Sequence, residues 1–157
     1  MNQSTTTDTS ITNSSPIPVR AIVTSLLRTD HSTAPAILRL TLAVVMFPHG
    51  AQKLLGWFGG YGFEGTMGFF TRTMGIPWLL ALGVILIEFF APILLLIGAG
   101  TRLAAIGLGT VMASAMVMVH GQHGFFMNWF GAQKGEGIEY FLLTLGIAIA
   151  LVLSGGG

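Results

Sequence analysis

Six polar side chains interrupt an otherwise apolar chain, and their types suit proton exchange or hydrogen bonding to a carbonyl. His49, Gln52 and Lys53 are spaced i, i+3 and i+4, which puts them on one face of a helix. Glu88 sits in the middle of the most apolar stretch, His120 closes another, and Glu139 opens the last. Ionisable groups inside hydrocarbon cost roughly 2.5–3.5 kcal/mol each on insertion scales, so each needs a partner, water or a task. At a rise of about 1.5 Å per residue, Glu88 lies roughly 15 Å and His49 roughly 12 Å from the aromatic ends of their segments, on the same side. An antiparallel pair of helices would therefore bring His49, Lys53 and Glu88 together. In one reading Lys53 and Glu88 form a structural ion pair, Lys53 snorkels, and His120 and Glu139 cap helix ends. In the other, His49 and Glu88 exchange protons or hold a carbonyl headgroup, and Lys53 tunes Glu88 through its charge. A quinone or similar amphiphile suits that pocket, with its ring among Phe89, Phe90 and Trp57.

The elements that must position these groups follow from hydropathy. The 157 residues are 52% hydrophobic and 8% charged, against about a quarter charged in a soluble domain, and mean hydropathy is +0.76. Four apolar runs, at about 36–57, 77–98, 102–121 and 138–154, predict an all-α integral membrane protein built as an antiparallel four-helix transmembrane bundle. The last run is short for a span. Gly98, Gly100 and Thr101 make a tight turn between the second and third runs, while Gly- and aromatic-rich connectors follow the first and third. Pro48 is expected to loosen the first helix, and Pro92 is tolerated where neighbours repair the missing hydrogen bond. Residues 1–30 read as a disordered tail with an interfacial segment, and 31–157 as the membrane domain. Arg20, Arg28, Arg39 and Arg102 lie at one membrane face against Lys53, Arg72 and Lys134 at the other, which favours cytoplasmic N and C termini.

Several chemistries are disfavoured. The chain has no cysteine, which removes disulfides, thiolate nucleophiles and thiolate-held metals. No intrinsic cofactor motif is present, so a redox role requires a partner that carries the redox centre. His120 and His123 do not complete a metal motif, and a formal charge of +1 without a basic run leaves no nucleic-acid footprint.

Arg39, the stretch HGAQKLLGWFGG from His49 to Gly60, Glu88, the turn GAGTR from Gly98 to Arg102, His120, GIEY from Gly137 to Tyr140 and the terminal glycines occur in an order that resembles the DoxX family. These are small four-helix membrane proteins of bacteria. The resemblance implies a multi-pass protein of the bacterial plasma (inner) membrane. Because the family takes its name from a subunit of a thiosulfate:quinone oxidoreductase, it also implies a quinone as cofactor and a membrane or peripheral redox partner, in sulfur chemistry or oxidative stress. It transfers no catalytic residue. A small transporter or channel subunit, assembled as a homo-oligomer, and a non-catalytic structural or stress-response protein are the competing classes.

Overall fold

The computed structural model describes residues 33–157; the expected tail and interfacial segment lie outside the described residues. Helix α1 spans Thr33–Leu55 and carries Pro35 in its first turn, where the absent N–H costs nothing. A 3-10 turn at Trp57–Gly59 leads into short helix α2, Gly62–Gly68, which ends in a π turn at Phe69–Thr73. Helix α3 is Trp78–Ile97. Helix α4 begins at Thr101 and runs to Ala115, continuing through a π turn, Met116–His120, to His123. Helix α5 is Glu139–Ser154.

The protein is all-helical over the described residues, and three helices are long and apolar enough to cross a membrane: Thr33–Leu55, Trp78–Ile97 and Thr101–His123. The fourth, α5, is apolar but shorter; its 16 residues reach about 24 Å against the ~30 Å of bilayer hydrocarbon. Exposed Val44, Leu80, Ile97 and Leu143 give these helices apolar outer faces suited to lipid.

The long helices close on one another in the order α1, α3, α4, α5 and back to α1. Their shared core is built from Leu42, Met46, Leu95, Leu108 and Leu151, with small residues such as Ala43 and Ala105 letting the backbones approach. The turn between α3 and α4 is a Schellman cap: Gly98 takes a left-handed φ of 75°, its N–H donates to the Leu95 carbonyl, and the Ala99 N–H donates to that of Leu94. Arg102, at the start of α4, donates from Nε to the Val152 carbonyl at 2.9 Å, so this end of α4 lies at the C-terminal end of α5. The guanidinium there caps carbonyls that have no helical donor and faces the negative end of the helix dipole.

The crossing of α1 and α3 sets the site. Gly50 is buried against the backbone of Glu88 and Phe89, so close that a Cβ would collide with the Glu88 carbonyl. Pro92, four residues later, has no N–H to give that carbonyl, and what packs there instead is the Gly50 backbone. Helix α1 itself stays helical through Pro48. The first connector is not a simple loop: Met67 of α2 packs with Ala81 and Ile85 of α3, and Leu54, Phe70 and Ile76 join them. This second cluster holds α2 and its π turn against the ends of α1 and α3.

Candidate functional site

A cavity of about 350 Å³ opens between the helices on the side of the two connectors. His49 and Lys53 reach it from α1 and Glu88 from α3; His120 reaches it from the π turn ending α4, and Tyr140 from the first turn of α5. Its remaining wall is mainly apolar, with Phe69, Phe70, Met112, Met118 and Phe141 contributing. Both π turns line it. Such turns widen a helix locally and turn side chains that a regular α-helix would point elsewhere: Phe69 and Phe70 come from one, Met118, Val119 and His120 from the other.

Lys53 Nζ and Glu88 Oε2 form an ion pair. The carboxylate side chain is 4% exposed and that of the lysine 27%, so one end of the pair is buried and the other is partly open. Apart from Lys53, no donor among the described residues reaches Glu88 Oε2. Attraction at low dielectric offsets the desolvation of such a pair only when its geometry is held, and here the Gly50 contact brings the two helices close enough to hold it.

Tyr140 donates its hydroxyl to Met46 Sδ at 3.3 Å. Thioether sulfur is a weak acceptor, which leaves that O–H available to a stronger one. The His49 ring lies 6.0 Å from the Tyr140 ring, centroid to centroid, and both side chains line the cavity. His120 stacks on Phe141 at 4.3 Å, and its Nδ1 is 2.9 Å from the Glu136 carbonyl. A carbonyl only accepts, so Nδ1 carries the proton and Nε2 is left as the site for a further partner.

Two of the six residues singled out from the sequence are placed elsewhere. Gln52 is turned from the cavity; its Nε2 donates to the Phe58 carbonyl at 3.2 Å. Glu139 accepts from the Met127 N–H at 3.3 Å, while Glu136 accepts from the Asn128 N–H at 2.7 Å. Together with His120 they fold the second connector onto the ends of α4 and α5. The expected aromatic wall of Phe89, Phe90 and Trp57 is also corrected: none of them lines the cavity. Phe89 packs on Phe47 at 5.8 Å, while Phe90 and Trp57 are exposed. The aromatic lining comes instead from Phe69, Phe70, Tyr140 and Phe141, of which only Tyr140 stood in a motif noted from the sequence. Among the described residues, no three His, Asp or Glu side chains lie within reach of one metal ion.

The family model DoxX matches residues 34–121, more than half of the chain. The chain belongs to the DoxX family. The DoxX match covers α1 to the end of the α4 π turn, and so includes His49, Lys53, Glu88 and His120. It stops before the second connector and α5, leaving Tyr140 and Phe141 outside it. No curated protein and no solved structure matches this DoxX chain.

Proposed function

We propose that this DoxX chain is the membrane subunit of a quinone-linked oxidoreductase complex and that the cavity seats the quinone headgroup. The observation carrying this is the convergence of Lys53, Glu88, His49, His120 and Tyr140 on one largely apolar cavity of about 350 Å³. That size lies in the range of small-molecule sites, roughly 300–1,000 Å³, and apolar walls with a few placed polar groups are their usual chemistry. The residues fit a quinone: flat aromatic side chains for the ring, and donors for its oxygens.

All four helices cross the membrane in this reading, antiparallel, with both termini at the cytoplasmic face of a bacterial plasma membrane. Exposed Trp57, Phe58, Trp129 and Phe130 then lie in the opposite interface, where amphipathic rings are favoured. Placing Arg102 against the end of α5 supports opposite directions for α4 and α5.

A bound quinone supplies a two-electron, two-proton acceptor. A partner protein carries the electron source, in sulfur chemistry or oxidative stress, because the sequence has neither cysteine nor a haem or flavin motif. The residues of this chain bind and protonate. Tyr140 turns its O–H from the Met46 sulfur to a carbonyl oxygen, and Lys53 Nζ offers a second, charge-assisted donor. His49 and Glu88 hold the protons exchanged at the cavity. Phe69, Phe70 and Phe141 keep bulk water from the ring.

In nanodiscs the protein is expected to bind a ubiquinone or menaquinone analogue. Glu88→Gln, His49→Ala and Tyr140→Phe are each expected to weaken binding by about tenfold, equivalent to ~1.4 kcal/mol. Isothermal titration checks this, and an affinity unchanged from the parent in all three variants would remove the site. A Glu88-dependent proton flux in quinone-free proteoliposomes would instead make this a transporter subunit.

A further inference from the structure

Lys53 lines two cavities. The second, of about 620 Å³, lies beside the C-terminal end of α1 and beneath α2, and its walls include Gln52, Tyr61, Thr66, Phe69 and Phe70. The two cavities share Lys53, Phe69 and Phe70. The two phenylalanines form an apolar partition, so Lys53 is the polar group that reaches both sides.

We propose that this second cavity is a water-filled inlet, and that Lys53 relays protons through the partition between aqueous solvent and the main cavity. The proposal rests on the quinone reading only for the proton's destination. Three observations carry it. The Glu88 side chain of the ion pair is buried and that of Lys53 partly open, with side-chain exposures of 4% and 27%. The second cavity also carries the polar partners that an ordered water needs, usually two to four: the Gln52 amide, the Thr66 hydroxyl and the backbone of Gly59, Gly60 and Gly65. Tyr61 stands at its mouth almost fully exposed. Finally, the inlet is built into the fold, because Gln52 Nε2 donates to the Phe58 carbonyl and so pins the connector to the end of α1. This gives a use to the residue that turned away from the main cavity.

The relay balances in two steps. Lys53 Nζ passes one proton to a base on the main-cavity side, where Glu88 from α3, His49 from α1 and Tyr140 from α5 face it, and is left as the neutral amine. It then takes one proton from water in the inlet, and the hydroxide left there is neutralised by a proton from bulk solvent. The side chain returns to its starting state and one proton has crossed.

Lys53 and Lys134 are the two lysines of the chain, which allows a test on the native protein. A sulfonated N-hydroxysuccinimide ester does not cross lipid and acylates an amine only after it has lost its proton. Labelling of Lys53 therefore reports both access from water and proton release, with exposed Lys134 as the internal standard. In nanodiscs, mass spectrometry should find Lys53 acylated. Filling the inlet from either wall, with Thr66→Trp on α2 or Gln52→Trp on α1, should slow that labelling by about tenfold, read against unchanged Lys134. A quinone analogue in the main cavity engages the same amine from the other side and should slow labelling less than either tryptophan does. An unlabelled Lys53 beside labelled Lys134 would overturn the relay, and so would labelling blocked by the quinone analogue but by neither tryptophan. If no quinone analogue binds and the tryptophan effects persist, the quinone reading fails while the inlet stands.

Discussion

Replacing Gly50 with valine should lower stability by about 3 kcal/mol or more, at or beyond the upper end of the usual overpacking cost. The obstacle is backbone, because the new Cβ would run into the Glu88 carbonyl and the Phe89 Cα, and neither can rotate away. Even Gly50→Ala should destabilise the protein, although alanine gains about 1 kcal/mol in helix propensity. Gly83→Ala is the control: beyond the local backbone of α3, no atom lies within 4 Å of a new Cβ there, so the propensity gain should appear undiminished. Denaturation in mild detergent separates the two. A Gly50→Val protein as stable as the parent would mean that α1 and α3 do not cross as described.

Loss of the lysine charge should be nearly as costly. Lys53→Met leaves the Glu88 carboxylate buried with no counter-charge, and breaking a buried pair by removing one partner typically costs about 3–5 kcal/mol. The lower end applies, because the Lys53 side chain is partly exposed and water can compensate in part. The double variant Lys53→Met/Glu88→Gln should recover much of that loss, since it removes the stranded charge with its partner. Additive single effects in this cycle would show the two side chains to be uncoupled.

The ion pair could be read from the sequence because its logic is one of depth and charge. Counting along two hydrophobic runs places His49 and Glu88 at similar levels, and Lys53, one turn from His49 on the same face, is the cation whose long side chain can reach Glu88. The long helices were equally legible: runs expected at about 36–57, 77–98 and 102–121 are helical over Thr33–Leu55, Trp78–Ile97 and Thr101–His123. Rotation about a helix axis is harder to read than depth. Gln52 shares a broad face with His49 and Lys53, yet it is turned about 100° from Lys53, enough to put it on the other side of the partition. Glu139 has the depth expected of a pocket residue, but the neighbouring connector offers it the Met127 N–H. Phe69, Phe70 and His120 enter the cavity through π turns, which no period of 3.6 residues announces. The meeting of Gly50 with the Glu88 carbonyl, which Pro92 leaves without a donor, joins residues far apart in the chain, and local sequence carries no sign of it.

The most direct measurement is photo-crosslinking with an azido-quinone in nanodiscs, followed by peptide mapping. Label should fall on the peptides carrying Phe69–Phe70, Met112–Met118 and Tyr140–Phe141, and an excess of unlabelled quinone should displace it. Label confined to the lipid-facing side of α4 and α5, around Ile106 and Ile149, or label that unmodified quinone fails to displace, would contradict a quinone seat between His49 and Tyr140.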